Sequence, residues 1–176
     1  MSRRRVVVTG LGCVSPVGNT VADAWANILA GKSGIDLITK FDASNFACRI
    51  AGEVKGFDLE SYISAKDARA MDSFIHFGIA AAAQAVQDAG LPTGEALDDE
   101  LATRIACVIG SGIGGLPLIE NTHIEYAARG PRRITPFFVP ASIINMVAGH
   151  VSMRFGFKGP NLSVVTACTT GLHCIG

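Results

Sequence analysis

The chain has 176 residues, of which 49% are hydrophobic and 17% are charged, a composition that predicts one folded domain with a sizeable core and excludes a disordered chain. Lysine plus arginine and aspartate plus glutamate are equal at 15 each, so no net field attracts nucleic acid or an anionic membrane surface. The five cysteines are scattered, odd in number and without a CxxC pair, which disfavours a disulfide framework or a zinc site and predicts a reducing, cytoplasmic compartment.

The N-terminal residues predict a buried strand followed by a helix. Residues 4–11 contain three consecutive valines without polar alternation, a pattern typical of a strand covered on both faces. This apolar run is too short for a signal peptide, and no window of the sequence reaches the length of a membrane span. Asn19 or Thr20 is expected to cap a helix that ends at Gly31 and places Trp25 in the core.

Helices and strands alternate through the rest of the chain. The predicted elements are a strand over residues 49–54, a long helix from Lys66 or Asp67 to Gly90, a second buried strand over residues 104–110, a helix-like stretch through Glu125 and a helix over residues 142–155. Residues 130–140 contain three prolines and are expected to be irregular. Apolar strands separated by helices predict an α/β architecture in layers of helix, sheet and helix.

The most informative stretch surrounds Cys168. Residues 162–165 are apolar and predict a buried strand, while the small residues after them and the sequence Gly-Leu-His predict a tight turn that opens a helix. The unpaired N–H groups and the dipole at a helix N-terminus favour a thiolate over a thiol, and the same N–H groups can bind an oxyanion. Cysteine is also commonly buried and inert, so the residues alone leave both interpretations open.

Two further patterns bear on cofactors and metals. Residues 110–115, GSGIGG, satisfy GxGxxG after a predicted strand, as a dinucleotide-binding loop requires. Against that interpretation, the residues that follow give no obvious helix start facing a phosphate, and no acidic residue lies about 20 positions later. The four histidines share no metal-ligand spacing, and His173 would lie well off the Cys168 side of a helix. We therefore predict neither a metal nor a cofactor.

Five ordered blocks of sequence resemble the elongating β-ketoacyl-[acyl carrier protein] synthases, most closely the type II enzymes of bacterial fatty acid synthesis. The blocks are RRVVVTGLG with SPVGN at 4–12 and 15–19, IGSGIGG at 109–115, PFFVP at 136–140, NMVAGH at 145–150 and TAC at 166–168. The resemblance implies the thiolase fold, a five-layered αβαβα arrangement of two similar halves, usually as a homodimer. Residues 1–176 would form the N-terminal half, so we expect the chain to be a fragment of a longer protein.

The resemblance also implies a reaction. Cys168 would take an acyl chain from the thioester of acyl carrier protein, malonyl-carrier protein would lose carbon dioxide, and the resulting carbanion would attack the acyl-enzyme to give a β-ketoacyl chain two carbons longer. The Cys168 N–H would supply one oxyanion donor. The family's two active-site histidines, its lysine and the second oxyanion donor lie in the C-terminal half, so we expect residues 1–176 alone not to condense substrates.

Other residues take roles only through the resemblance. Ile113 matches the residue that gates the acyl pocket, and Phe138 and Val139 match positions near the dimer interface that help to shape the partner's pocket. Four basic positions that receive the acidic carrier protein correspond to Lys66, Arg69, Arg132 and Arg133. Without the family these four would be read as ordinary solvated surface, and Ala70 stands where a further basic residue is often found.

Three alternatives stay open at this point. A polyketide-type ketosynthase would share the nucleophile and differ in pocket length. A non-catalytic scaffold subunit would share the fold, but such subunits typically replace the nucleophile that Cys168 provides. A dinucleotide-binding oxidoreductase is the most distant of the three, because a lone glycine pattern is a weak signal.

Overall fold

The structure is a computed structural model that describes residues 5–176. The chain divides into two compact units: the first holds the residues up to Leu59 with Ala80–Leu91, and the second holds Glu60–Ile79 with Pro92–Gly176. The helix Ser73–Asp88 contributes residues to both. Within residues 5–176, no helix is both long enough and apolar enough to cross a membrane.

The first unit contains a capped helix and a hairpin. Helix α1 (Val21–Leu29) begins where the Thr20 hydroxyl accepts a hydrogen bond from the Asp23 N–H at 3.1 Å. Strand β1 (Ile35–Leu37) pairs antiparallel with strand β2 (Ile50–Gly52). The helix predicted after Thr20 and the strand predicted within residues 49–54 are thereby confirmed.

Two predictions for this unit are wrong. Residues 5–11 form no strand, and Val6, Val7 and Val8 are 91%, 66% and 77% exposed; Arg4, where the strand was expected to begin, lies outside the described residues. A buried strand needs a hydrogen-bonded neighbour, and none of the described strands lies beside this run. Trp25 is also exposed and lines an open cleft, because α1 buries the small Ala24 instead.

The second unit contains most of the helices and a parallel pair of strands. Its elements are α2 (Ala65–Ala68), α3 (Ser73–Asp88, in part), α4 (Asp99–Arg104), β3 (Cys107–Val108), α5 (Leu116–Arg129), α6 (Phe138–Ser142), α7 (Met146–Phe155), β4 (Asn161–Leu162) and α8 (Thr170–Ile175). Strands β3 and β4 pair in parallel, with Cys107 opposite Asn161. Gly78 lets α3 approach α7, since a Cβ at Gly78 would lie 2.3 Å from Val147 Cγ1.

The long helix predicted from residue 66 to residue 90 is two helices, because the chain is interrupted around Asp72. The Asp72 N–H donates to the Ala141 carbonyl at 3.4 Å rather than to a carbonyl one helical turn back. The Asp72 carboxylate accepts a hydrogen bond from the Leu118 N–H at 2.8 Å. Tertiary contacts therefore override the helical periodicity at this residue.

The prediction of irregular structure over residues 130–140 is wrong in part. Pro131–Arg133 forms a 3-10 turn, and α6 contains Pro140 as its third residue. Proline is tolerated there because the first N–H groups of a helix have no intrahelical partner. The following helix, expected from residue 142, starts at Met146 because Ser142 ends α6.

The strand predicted over residues 104–110 is shorter than expected. Only Cys107 and Val108 form β3, because Arg104 still belongs to α4 and the pairing partner β4 has two residues. Residues 109–115 therefore enter a loop directly after the strand. This loop reaches the segment that carries Cys168.

Candidate active site

Cys168 lies in a tight turn between a strand and a helix. Strand β4 ends at Leu162, a 3-10 turn covers Ala167–Thr169, and α8 follows at once. The predicted order of strand, turn and helix is confirmed, but a buried strand over residues 162–165 is not, since Leu162 and Val165 are 58% and 51% exposed. Cys168 is itself exposed.

Ala167 gives this turn its shape. Its φ is 50°, and within residues 5–176 it is the one residue other than glycine with a positive φ. A left-handed backbone costs free energy for a residue with a Cβ, so neighbouring contacts must hold it in place. The strained residue immediately precedes the cysteine, a position where such strain commonly accompanies function.

Three side chains hold the turn together. The Thr170 hydroxyl accepts a hydrogen bond from the Thr166 N–H at 2.9 Å and donates one to the Ala167 carbonyl at 2.8 Å. His173 Nδ1 lies 2.7 Å from the Thr166 hydroxyl oxygen. His173 therefore contacts the start of the turn through Thr166.

The glycine-rich loop of residues 110–115 packs against this turn. A Cβ at Gly110 would lie 2.2 Å from the Val164 carbonyl oxygen and 2.4 Å from Thr170 Cγ2, so only glycine permits the approach. A Cβ at Gly112 would lie 3.6 Å from the Ala167 carbonyl oxygen, an ordinary contact distance. The loop therefore lies directly beside the residue that precedes Cys168.

The same loop is fixed at its other end by α6. The Gly115 N–H donates to the Ser142 carbonyl at 2.9 Å, and the Gly114 N–H donates to the Ser111 hydroxyl at 3.0 Å. Gly114 has a φ of 85°, and a Cβ there would lie 2.6 Å from the Ser142 carbonyl oxygen, so this position also favours glycine. The loop is held both at the cysteine turn and at the end of α6.

The predicted pocket residues lie on these two elements. Ile113 is 71% exposed and sits between Gly112, beside the cysteine turn, and Gly114, beside Ser142. Phe138 and Val139 are the first two residues of α6; Phe138 is half-buried and Val139 is 56% exposed. Ile113 thus lies on the loop whose Gly110 and Gly112 approach the Cys168 turn, and the other two lie on the helix that anchors this loop.

The basic residues predicted to receive a carrier protein are all exposed. Lys66 lies in α2, Arg69 follows it, and Arg132 and Arg133 lie in the 3-10 turn before α6. Within the described residues none of the four forms an ion pair with an acidic side chain. Acidic side chains of the described residues therefore do not neutralise these four positive charges.

The glycine pattern does not fit a dinucleotide. A helix does begin directly after the loop, contrary to expectation, because Pro117 is favourable in a first turn. The buried Asp72 carboxylate, however, accepts from the Leu118 N–H at 2.8 Å and from the Ser73 hydroxyl at 3.0 Å. A negative charge already occupies the helix N-terminus where a phosphate would bind.

Burial shifts the pKa of two other groups in this unit, Cys107 and His150. Burial raises the pKa of the Cys107 thiol, which disfavours its thiolate. Burial lowers the pKa of His150, and the charge of Asp67 partly opposes that shift. Across residues 5–176, no group of three or more histidine, cysteine or acidic side chains is arranged to hold a metal ion.

Two residues of the site escaped the sequence-based reasoning. Thr170 is the second of two threonines after the cysteine. No sequence pattern predicts that its hydroxyl forms hydrogen bonds with the backbone of the turn. Asp72 sits inside a helical pattern, where an acidic residue is normally expected on the solvent side. One indication of this role was present in the sequence: aspartate is a residue type that caps helices, and Asp72 stands in the middle of an apolar helical face.

Two solved structures on which the chain superposes contain ketosynthases. The chain superposes with a TM-score of 0.77 and 25% identity on a structure of a type II polyketide-synthase acyl-carrier protein in complex with its ketosynthase, covering 99% of this chain and 45% of that one. It superposes with a TM-score of 0.74 and 29% identity on the ishigamide ketosynthase/chain length factor, covering 96% and 40%. The predicted α/β, thiolase-like fold class is confirmed.

The family follows from the sequence comparison. The family model described as "Beta-ketoacyl synthase, N-terminal domain" matches residues 3–176, and the chain belongs to this family. It is 58% identical over 176 residues to 3-oxoacyl-[acyl-carrier-protein] synthase 2 of Vibrio cholerae serotype O1, covering 42% of that protein. It is 47% identical over 173 residues to the protein of that name from Staphylococcus aureus (strain N315), covering 41%. The chain thus spans less than half the length of either relative.

Proposed function

We propose that this chain is the nucleophile-bearing part of a β-ketoacyl-[acyl carrier protein] synthase that elongates fatty acids. The chain would form the N-terminal half of a two-half thiolase-like enzyme, with Cys168 as its covalent nucleophile. The observation that carries the proposal is the position of Cys168: an exposed cysteine, after a strained residue, at the start of a helix and beside a glycine loop.

The proposed reaction has two stages. The Cys168 thiol gives up its proton, and its thiolate attacks the carbonyl carbon of an acyl-carrier-protein thioester. The carbon–sulfur bond to the carrier breaks, the carrier's thiolate leaves and takes up a proton in place of the one Cys168 lost, and the acyl chain is held on the Cys168 sulfur. Malonyl-carrier protein then loses carbon dioxide, and the carbanion left behind attacks the new thioester. The cysteine thiolate is expelled and a β-ketoacyl chain two carbons longer remains on the carrier protein.

The site favours Cys168 both as a nucleophile, through its thiol, and as an oxyanion donor, through its backbone N–H. A substrate can reach the thiol because Cys168 is exposed, and the backbone N–H of the same residue, at the entry to α8, is available as an oxyanion donor. In the proposed enzyme, the family's histidines, lysine and second oxyanion donor would lie in the C-terminal half. Residues 1–176 alone are therefore expected to be inactive in condensation.

Mass spectrometry of the protein at its full natural length tests the nucleophile. We expect incubation with a long-chain acyl-carrier protein to add one acyl mass to the protein and the Cys168→Ala variant to gain none. Cys48→Ala serves as the matched control, because Cys48 is another exposed cysteine and lies in the other unit. If folded wild-type protein gains no acyl mass, the condensing function is wrong and a scaffold subunit becomes the better proposal.

Fatty acid elongation is preferred to polyketide synthesis on sequence similarity. The relatives at 58% and 47% identity are named 3-oxoacyl-[acyl-carrier-protein] synthase 2, whereas the polyketide-synthase structure is 25% identical. Repeated condensation with malonyl units and no reduction of the β-ketone would instead favour the polyketide reaction. Product analysis with purified malonyl-carrier protein distinguishes the two.

Ile113 is proposed to gate the acyl pocket. It is exposed between two glycines on the loop that packs beside Cys168, so its side chain has room to change position. Ile113→Phe should fill that space and reduce acylation by long chains more than acylation by short ones. An equal effect on both chain lengths would argue against a gate.

The carrier-protein surface is proposed to include Lys66, Arg69, Arg132 and Arg133. All four are exposed and lack acidic partners within the described residues, and a neighbouring solved structure contains a carrier protein with its ketosynthase. Lys66→Glu with Arg69→Glu should raise the KM for acyl-carrier protein at low salt and leave kcat nearly unchanged. Loss of the difference at high salt would support charge attraction as its cause.

The proposed enzyme is a cytoplasmic homodimer. Phe138 and Val139 would lie near the interface and shape the partner's pocket; the exposure of Val139 on the short helix α6 is consistent with such a contact. The free cysteines fit a reducing compartment. Light scattering of the full-length protein checks the dimer, and Val139→Asp is expected to weaken it.

A further inference from the structure

We propose that Thr170 is a positioning residue that holds Cys168 in its reactive geometry. The inference rests on the proposed role of Cys168 as nucleophile. Thr170 is not expected to touch the acyl group. It acts through the backbone of the turn that precedes the cysteine.

The hydroxyl of Thr170 both accepts from and donates to that backbone. It accepts from the Thr166 N–H at 2.9 Å and donates to the Ala167 carbonyl at 2.8 Å, so that one oxygen joins the two residues before the cysteine. Thr170 is 6% exposed, which limits competition from water for either hydrogen bond. The contact is therefore well placed to hold Ala167 at its positive φ of 50°.

The methyl group of Thr170 fixes the other side of the residue. A Cβ at Gly110 would lie 2.4 Å from Thr170 Cγ2, so the methyl group occupies the space that the glycine leaves open. Rotating the side chain about χ1 would move both the hydroxyl from the turn and the methyl group from the glycine loop. The threonine thus joins the cysteine turn to the loop that carries Ile113.

This arrangement separates two functions within one side chain. Thr170→Val keeps the shape and removes the hydroxyl, so Ala167 loses a contact that holds it in the left-handed region. Thr170→Ser keeps the hydroxyl and removes the methyl group. If the hydroxyl positions the cysteine, the valine variant should lose reactivity and the serine variant should retain most of it.

Peptide-resolved alkylation of the full-length protein measures this positioning directly. Iodoacetamide is applied, and the rate at Cys168 is divided by the rate at the exposed Cys48 in the same sample. We expect Thr170→Val to lower this ratio about tenfold, the effect of losing one to two hydrogen bonds. Thr170→Ser should retain most of the ratio. The control Thr103→Val, which removes an exposed hydroxyl that donates to the Glu100 carbonyl at 2.7 Å in α4, should leave the ratio unchanged.

The buried Cys107 reports on folding in the same experiment. Cys107 is 5% exposed, so its alkylation marks a variant that has unfolded. If Thr170→Val unfolds, the serine variant still decides the question, since loss of Cys168 reactivity in a folded Thr170→Ser protein would overturn the proposal. An unchanged ratio in folded Thr170→Val would overturn it as well.

Acyl transfer provides the second readout. Thr170→Val should lower kcat for acylation from acyl-carrier protein about tenfold with little change in KM, because carrier-protein binding does not involve the turn. A rise in KM with unchanged kcat would contradict a positioning role. Failure of the wild-type protein to acylate at all would refute the proposed function, whereas the alkylation ratio would still test the action of Thr170 on Cys168.

Discussion

The turn around Cys168 and the hairpin of β1 and β2 are both built on very short strands, but different forces hold them. The cysteine turn is held by close packing, with glycine backbone against Val164 and the Thr170 methyl group against Gly110, and by the hydrogen bonds of the Thr170 hydroxyl. The hairpin is held at its end by a buried carboxylate. Glu53 accepts hydrogen bonds from the Thr39 N–H at 3.1 Å, the Thr39 hydroxyl at 2.7 Å and the Lys40 N–H at 3.3 Å.

The comparison teaches where each region is vulnerable. Close packing without space for a methyl group is sensitive to added volume and almost insensitive to pH. A carboxylate that accepts several hydrogen bonds is stabilising only while it is ionised. Volume changes should therefore damage the cysteine turn, and acid should damage the hairpin.

Gly110→Ala is expected to have the largest effect on stability. The new Cβ would lie 2.2 Å from the Val164 carbonyl oxygen, and backbone must move to admit it. We expect a loss of about 2–3 kcal/mol in the free energy of unfolding, typical of overpacking, measured by urea denaturation.

Gly112→Ala is the matched control for this prediction. It adds the same methyl group to the same loop, but its nearest contact would be 3.6 Å away, and Gly112 lacks a positive φ. Its free energy of unfolding should stay close to that of the wild type. Equal losses in both variants would show that the glycine loop is sensitive throughout and that the contact with Val164 is not the cause.

The sequence predicted the local backbone of this region better than its packing. The turn and the helix that follows it were predicted because small residues and a helix-opening sequence are local signals. The contacts of Gly110 with Val164 and Thr170 join residues more than 50 positions apart, and no local pattern encodes them. The two ends of the loop could be placed only by the structure.

The strand predictions failed for the same physical reason. The apolar run of Val6, Val7 and Val8 resembles a buried strand, yet strand formation depends on a neighbour to accept its hydrogen bonds, and none of the described strands supplies one. The similar run that contains Cys107 forms a strand only where Asn161 and Leu162 pair with it. Apolar composition predicts the tendency, and pairing decides the outcome.

Asp72→Asn tests whether charge also contributes beneath the glycine loop. The buried carboxylate accepts from the Leu118 N–H at the start of α5, where a negative charge is favourable. We expect the neutral amide to lower the free energy of unfolding by about 1–2 kcal/mol. Glu120→Gln, an exposed change on the same helix, should have almost no effect; equal effects of the two changes would mean that the buried contact is not special.

Glu53→Gln should have the smallest effect, and one that depends on pH. Hydrogen bonds from the Thr39 side chain and backbone, followed by the Lys40 N–H, hold the pKa of Glu53 below its usual range. Because the folded state binds this proton more weakly than the unfolded state, the carboxylate's contribution is complete above the unfolded pKa and is lost as pH falls through the folded pKa.

The wild type should therefore be more stable than Glu53→Gln at neutral pH, and the difference should shrink as acid protonates the carboxyl group. Urea midpoints of the two proteins, measured at pH 7 and at about pH 3, provide the test. Other carboxyl groups with lowered pKa values, such as Asp36 and Asp42, are present in both proteins and cancel in the difference. A difference that stays constant with pH would mean that the side chain's shape, rather than its charge, holds the hairpin, and the contrast with the cysteine turn would disappear.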